Sequence, residues 1–465
     1  MTRHRAFSLL LGAALSCAPL SMARADEVFE QDFQMHLEKA DISGAMALAR
    51  IKLAESPGDM QAQFALGAAQ FLDAVEGLGQ GLYRHGLTHD QGDEALSGWL
   101  PGMSDLPFLR LPMPENPSPQ PFSAESFRRI LTEFNTDLQA ADVTLSHVPA
   151  GQVTLPLYVK KVYLDFNGDG EAQPIESIPM ILSAISGSEV QKTIPLIRFD
   201  ESDVLWLRGY SHLLAGISDL LLAYDWRDAI DLTFHSAFPK SPLASAPLED
   251  ARQKMFVEYK RALAAKECGR PKKDLDSDEL TPEEQAIWDR YRACERTRNA
   301  LEYGGIADLV AFVHLFRWPV VEPERLLTAR QHFLTMIALS RANWASILQE
   351  TDDNGEWIPG PEQSSLFSNL QVTEEILSGW MSFLDQAEAV LEGRLLIAHW
   401  RFDKSQGLNI RSMLEEPETL DPILIISGAG ALPYLETGPL APGSTLDTGM
   451  DLLYGGMLAY FFWFN

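Results

Sequence analysis

Cysteine and positive charge are both scarce in this chain. Of its 465 residues only 3 are cysteines, and 37 lysines and arginines stand against 65 aspartates and glutamates. So few cysteines exclude a disulfide-rich scaffold and a zinc site built from cysteine ligands. The formal net charge of −28 argues against nucleic acid and anionic membranes as partners, because both attract basic surfaces. An acidic chain is suited instead to solubility and to cation binding.

Short motifs of established catalytic chemistry are also absent. The chain contains no H-E-x-x-H zinc motif, no G-x-S-x-G nucleophile turn and no phosphate-binding P-loop. His85 and His89 form the only closely spaced histidine pair, and Gly86 weakens a helix that would align them, so they indicate a polar loop. Residues 428–430 read GAG, like the start of a dinucleotide loop, but Pro433 replaces the third glycine. An enzyme would need a site assembled from residues distant in the sequence.

The first 25 residues contain a long, mainly apolar stretch. Two arginines precede an apolar stretch there, and Ala23-Arg24-Ala25 forms a cleavage site, so residues 1–25 predict a secretory signal peptide. We expect export to the periplasm, or secretion, after cleavage near Ala25; the poor motif before Cys17 disfavours lipid attachment there. Loss of the three arginines in this segment takes the net charge from −28 to −31. No other window offers about 18 uninterrupted apolar residues, so the mature chain should have no transmembrane span.

Acidic residues follow a ligand pattern at DFNGDGEAQPIE (165–176). The segment fits D-x-[DN]-x-[DN]-G-x5-E, with Gly170 at the sharp turn. Calcium takes about 6–8 oxygen ligands, which short acidic and amide side chains on a curved backbone supply. The side chains at positions 1, 3, 5 and 12 and the backbone carbonyl of position 7 are the expected ligands: Asp165, Asn167, Asp169, Glu176 and Glu171.

These twelve residues resemble the calcium-binding loop of the EF-hand family, which implies Ca²⁺ as the cofactor. The flanks depart from that family: LPLYVKKVYL (155–164) predicts a strand, and Pro174 and Pro179 oppose an immediate long helix. We therefore expect a calcium loop entered from a strand. The alternative is a solvated turn, because Asn, Asp and Gly all favour turns.

A second acidic segment, ETDDNGEWIPGPEQ (350–363), follows the calcium pattern only in part. Glu350, Asp352 and Asn354 match positions 1, 3 and 5, but Pro361 stands where the closing carboxylate is needed. A polar turn is the favoured interpretation, and a second calcium site is the alternative.

Helical periodicity dominates the rest of the chain. Residues 45–72 give two helix patterns separated by a Ser-Pro-Gly-Asp break, and they resemble a single tetratricopeptide-type hairpin. Four residues occupy the characteristic offsets of that family: Ala45, Pro57, Leu66 and Gly67. No second copy follows at a period of about 34 residues, so a repeat array is not expected and an ordinary helical hairpin is the alternative.

Shorter segments carry three further predictions. Asp200 and Asp203 open a helical run and are expected to cap it, or else to lend an outer ligand to the loop at 165–176. TIPLIRF (193–199) predicts a second strand that pairs with the first, and ILIISGAGALPYL (423–435) predicts a buried strand followed by a glycine turn.

Cys268 and Cys294 are the cysteines that remain after signal cleavage. They flank a charged segment between two helical patterns, so a disulfide between them would staple a helical hairpin. Pairing is expected in an oxidising compartment, and two free thiols are the alternative.

The predicted fold is mainly α, a multi-helix body with a small β hairpin-like element. We expect a hairpin region (26–100), a proline-rich connector (101–121), a helical body (122–400) with the β element and calcium loop at about 150–200, and a β-leaning C-terminal segment (401–465) packed on the body. The predicted function is an exported calcium-binding protein that acts as a scaffold or binds a protein or peptide partner. The alternative is an exported hydrolase or other enzyme with its site between helices.

Overall fold

The structure, a computed structural model, describes most of the chain. Within the described part, it is mainly α-helical with two small antiparallel sheets, as the periodicity predicts. None of the described helices combines the length and apolar composition that a bilayer crossing needs. The described residues are 18–88, 110–149, 153–186, 196–234, 237–238, 241, 246–266, 268–271, 280–351, 353, 355–364 and 372–442.

Among the described residues, the N-terminal region contains the helices α1 (Ala18–Glu38), α2 (Ile42–Glu55) and α3 (Met60–Arg84). An aspartate caps the N-terminus of both α2 and α3. Asp41 accepts the N–H of the third residue of α2, and Asp59 accepts that of the third residue of α3. Helices α2 and α3 are the hairpin expected at residues 45–72, and α1 continues through the predicted cleavage site.

The described part of the proline-rich connector has no regular helix, and it runs beside the end of α3. Asn116 Nδ2 donates to the carbonyl of Tyr83 at 2.8 Å, and the N–H of Gln120 donates to the carbonyl of Arg84 at 2.9 Å. Helix α4 (Ala124–Leu145) then begins with a serine capping box and packs against α3.

The predicted β element is present but short. Strands β1 (Leu155–Leu157) and β2 (Ile197–Phe199) pair antiparallel, with Leu155 opposite Phe199. The strand predicted over 155–164 is therefore only three residues long, because the chain turns into a 3-10 helix at Val159–Lys161. A second 3-10 turn and helix α5 follow the acidic segment, at Pro174–Glu176 and Ile178–Ser186.

Helix α6 (Glu201–Leu222) lies at the centre of the body and contacts α4. It begins with a capping box between Asp200 and Asp203, as expected from their position. Three helices come next in the chain: α7 (Arg227–Thr233), α8 (Ala246–Ala264) and α9 (Pro282–Leu315).

Two further helices complete the body: α10 (Glu324–Ile347), which contacts α6, and α11 (Glu374–Leu391). One core joins α1, α3, α4 and α6, and a second joins α6, α10 and α11 around the fully buried Trp344. Close approach of α6 and α10 depends on Gly216, where an added Cβ would lie 2.8 Å from the ring of Phe333.

The C-terminal segment contains a three-stranded antiparallel sheet in the order β3 (Ile397–Ala398), β4 (Gln406–Leu408) and β5 (Leu435–Thr437). Helix α12 (Ile410–Glu415) follows β4 in the chain. Residues beyond 442 are outside the described part.

The buried strand predicted over 423–435 is wrong. Helix α13 (Pro422–Ser427) occupies its first half, because Asp421 accepts the N–H of Leu424 at 2.9 Å and proline fits the first helical position. Gly428 ends this helix with a φ of +92°, a left-handed conformation that glycine adopts without strain.

Candidate metal centre

The acidic loop, residues 165–176, is closed at its base by backbone hydrogen bonds. Tyr163 and Ser177 form an antiparallel bridge, and the N–H of Leu164 donates to the carbonyl of Glu176 at 3.0 Å. The two ends of the loop therefore meet, and its acidic residues are folded back onto a single short turn.

Side chains at the expected ligand positions turn toward the loop's own backbone. The Asp165 carboxylate accepts the N–H groups of Asp169 at 3.0 Å and Gly170 at 2.9 Å. Asn167 Oδ1 accepts the N–H of Asp169 at 2.9 Å, and Asp169 Oδ1 accepts that of Glu171 at 2.8 Å. These bonds curve the backbone and place three oxygen-bearing side chains along one turn, although no three acidic side chains of the loop bring their oxygens within 4.8 Å of one another.

Two glycines allow this curvature. Gly168 has a φ of +73° and Gly170 a φ of +75°, so both lie in the left-handed region. Residues with a Cβ are strained there, which explains why position 6 of the pattern is glycine.

Glu176 closes the loop from a fully buried position, with 0% of its surface exposed. Its Oε1 accepts the N–H groups of Phe166 at 2.9 Å and Asn167 at 3.3 Å, whereas its Oε2 is buried and has no hydrogen-bond partner among the described residues. Burial, reinforced by the charges of Asp165 and Asp169, raises the pKa of Glu176 to about 7. A buried carboxylate oxygen needs a partner, which a proton, a water molecule or a cation can supply.

Helix α3 supplies contacts to this loop that the sequence did not reveal. Glu76 Oε2 accepts the N–H of Asp165 at 2.8 Å, and Gln80 Nε2 donates to the carbonyl of Asp165 at 2.8 Å. The buried Phe166 packs where Gly79 leaves space, since a Cβ on that glycine would lie 2.1 Å from the ring. Burial and the neighbouring carboxylates raise the pKa of Glu76 to about 7. Glu76 and Asp165 are 89 residues apart, so no local pattern links them.

A second acidic group lies elsewhere, at the start of α6. Asp200, Glu350 and Glu356 each place an oxygen within 4.8 Å of the others, the one group of three acidic, histidine or cysteine residues at that spacing in the described part of the chain. Asp200 therefore lies beside the second acidic segment, and it caps α6 as predicted; its alternative role as an outer ligand of the loop at 165–176 gains no support from these contacts. Asp352 and Asn354, expected in the same segment, lie outside the described residues.

Asp203 is buried behind this second group. Its carboxylate accepts the N–H of Asp200 at 2.9 Å, and Asp200 in turn accepts the N–H of Ser202 at 2.8 Å. Burial, and then the negative charges of Asp200, Glu356 and Glu350, raise the pKa of Asp203 well above its usual value. The group thus combines helix capping with concentrated negative charge.

Two histidines meet between α6 and α10. His212 Nδ1 and His332 Nδ1 are 2.7 Å apart, and the outer nitrogens face Asp142 at 3.3 Å and Asp219 at 3.7 Å. A contact of 2.7 Å holds only one proton between the rings. Burial, and then the neighbouring His212, lower the pKa of His332 to about 4. His212 is therefore a hydrogen-bonded residue between these two helices.

The two remaining cysteines are joined. Cys268 and Cys294 form a disulfide with a Cα–Cα separation of 5.4 Å. It links the segment after α8 to α9, which is the hairpin staple expected from the sequence. His89, by contrast, lies outside the described residues, and its neighbour His85 is buried at 3% exposure rather than part of a solvated loop.

Comparison with known proteins assigns no family. No family model, no curated protein and no solved structure matches this chain. The resemblances to an EF-hand loop and to a tetratricopeptide hairpin therefore rest on their own residues, and the function has to be argued from the site.

Proposed function

We propose that this protein binds Ca²⁺ at the acidic loop and that the ion has a structural role in an exported binding or scaffold protein. The observation that carries this proposal is the buried Oε2 of Glu176, which faces no hydrogen-bond donor. Position 12 of the calcium pattern supplies two oxygens to the ion, so an ion would give this atom its missing partner.

The remaining ligand positions fit the chemistry of calcium. Carboxylates at Asp165 and Asp169, the amide oxygen of Asn167 and the carbonyl of Glu171 are all hard oxygen donors. Calcium tolerates irregular geometry, whereas Mg²⁺ demands a near-ideal octahedron at shorter distances. A loop already curved by its own hydrogen bonds is therefore better suited to calcium than to magnesium.

A structural role follows from where the loop lies. Phe166 is fully buried in the core shared by α3 and α4, so the loop forms only when the chain is folded. An ion that binds the folded state alone stabilises it, by roughly 3 kcal/mol at a hundredfold excess over the dissociation constant.

Calorimetric titration with CaCl₂, combined with thermal melting, tests the proposal. We expect saturable binding and a higher melting temperature in the parent, and loss of both in Asp165→Ala and Glu176→Gln. Glu375→Gln is the matched control: its side chain is exposed on α11, outside the loop and the helix that contacts it, so it should behave as the parent. Absence of binding at millimolar calcium would contradict the proposal.

The binding or scaffold part of the proposal is supported by large apolar side chains exposed on α8 and α9. Their exposed fractions reach 57% at Val257, 72% at Tyr303 and 60% at Ile306. Exposed apolar surface of this kind is what protein partners cover. Export is tested by the mass of the mature protein, which should begin at Asp26.

A further inference from the structure

We propose that Glu76, on helix α3, belongs to the same cation site and supplies negative charge to it, so that the bound ion ties the N-terminal helices to the loop. This inference rests on the proposed calcium function and extends it beyond the twelve residues of the loop. It makes the site bipartite, with one part in the loop and one in a helix that lies far away in the sequence.

The backbone contacts of Asp165 are the first reason to include Glu76 in the cation site. This residue occupies position 1 of the loop, and α3 holds its backbone from both sides: Glu76 accepts its N–H and Gln80 donates to its carbonyl, each at 2.8 Å. Contacts with α3 therefore fix the backbone at position 1 of the loop.

The negative charge of Glu76 is the second reason to include this residue in the cation site. Glu76 is partly buried, and its carboxylate accepts the N–H of Asp165, so its negative charge lies directly beside the first ligand position. Hydrogen bonds from the neighbouring backbone do not neutralise several carboxylates in a partly buried place, whereas a divalent cation does. The buried Oε2 of Glu176, which has no hydrogen-bond partner among the described residues, is an independent observation that points to a ligand here.

The loop region and the N-terminal helices also contact each other at points other than Asp165. The N–H of Tyr163, at the loop base, donates to the carbonyl of Leu37 at 3.1 Å. Gln61 Nε2, in the first turn of α3, donates to the carbonyl of Thr154 at 2.8 Å. An ion held by both parts would strengthen this junction between α1, α3 and the loop.

Calcium titration of the purified protein and its Glu76→Gln variant tests the inference. Glutamine keeps an oxygen for the N–H of Asp165 and removes only the charge. We expect calcium affinity to fall about tenfold or more, the loss that one close charge in a partly buried site produces. Asp73→Asn is the matched control, since it removes the same charge one helical turn earlier; its affinity should stay within about twofold of the parent.

Hydrogen exchange of the backbone amides provides a second readout that does not depend on affinity alone. In the parent, calcium should slow exchange both in the loop and in α3 around Glu76. In Glu76→Gln at saturating calcium, the loop should remain protected while the added protection of α3 is lost. Far-UV circular dichroism in EGTA verifies that each variant is folded.

The outcomes separate the two proposals. Failure of the parent to bind calcium overturns both the calcium function and the role of Glu76. Binding by the parent with unchanged affinity and unchanged α3 protection in Glu76→Gln overturns the bipartite site alone. Equal loss in Glu76→Gln and Asp73→Asn also overturns it, because the effect would then be one of general charge.

Discussion

Gly79 lies where α3 packs against the ring of Phe166 in the acidic loop. A Cβ at this position would lie 2.1 Å from the Phe166 ring, and Phe166 directly follows the first loop ligand. Backbone and ring are both buried, so neither is free to move aside. One methyl group here should therefore disturb both stability and the cation site.

We predict that Gly79→Ala lowers the free energy of unfolding by about 1–3 kcal/mol, the usual effect of overpacking, and weakens calcium binding. Gly77→Ala is its control, because nothing lies within 4 Å of a Cβ there and alanine favours the same helix. That variant should be as stable as the parent or more so. Urea unfolding and calcium titration of the two variants give the comparison, and equal stability of both would refute the argument.

At the scale of elements, α4, α6 and α10 are joined by a buried polar chain. It runs from Asp142 on α4 through His212 on α6 and His332 on α10 to Asp219 on α6. Further charged and polar groups face it: Arg208 beside Asp142, and Arg325 and Asn135 beside Asp219. This row of polar side chains makes the packing of the three helices sensitive to protonation.

Acidification should weaken this packing. The folded-state pKa of His332 is depressed to about 4 from its usual value of 6.5, so its neutral form is the one that the fold stabilises. This contribution to stability is present above about pH 6.5 and is lost as the pH falls toward 4. A second proton has no place between two nitrogens 2.7 Å apart.

We predict that the loss of unfolding free energy between pH 7 and pH 4.5 is smaller in His332→Gln than in the parent. His147→Gln serves as the control, because His147 is exposed at the end of α4 and should leave the pH dependence unchanged. Chemical denaturation at the two pH values measures the difference. Identical pH dependence in all three proteins would show that the histidine pair has no such role.

At the scale of the whole molecule, net negative charge acts together with the cation site. A chain with 65 acidic and 37 basic residues repels itself in the compact state, and salt screens that repulsion. Any cation should therefore stabilise the protein to some degree, and the specific effect of calcium has to be separated from this background.

We predict that NaCl raises the melting temperature gradually, whereas millimolar CaCl₂ at matched ionic strength adds a saturable increase. MgCl₂ should give a smaller increase than CaCl₂, since magnesium requires stricter geometry. Glu176→Gln should keep the response to NaCl and lose the calcium increase. If NaCl and CaCl₂ at equal ionic strength act alike on the parent, general screening explains the effect.

Features that depend on near neighbours followed from the sequence alone. Three such features are the helical hairpin at 45–72, the caps at Asp200 and Asp203, and the curved acidic loop. Their hydrogen bonds join groups that lie close together along the chain, so local sequence patterns predict them. The strand predicted over 423–435 failed for the same local reason: the Asp-Pro start of a helix outweighed its apolar composition.

Features that join distant residues were decided only by the tertiary structure. Glu76 meets Asp165 across 89 residues, and His212 meets His332 across 120. Asp200 lies beside Glu350 because the start of α6 and the end of α10 lie together in the fold. Such pairs are set by which helix faces pack against each other, and one sequence carries no spacing that encodes them.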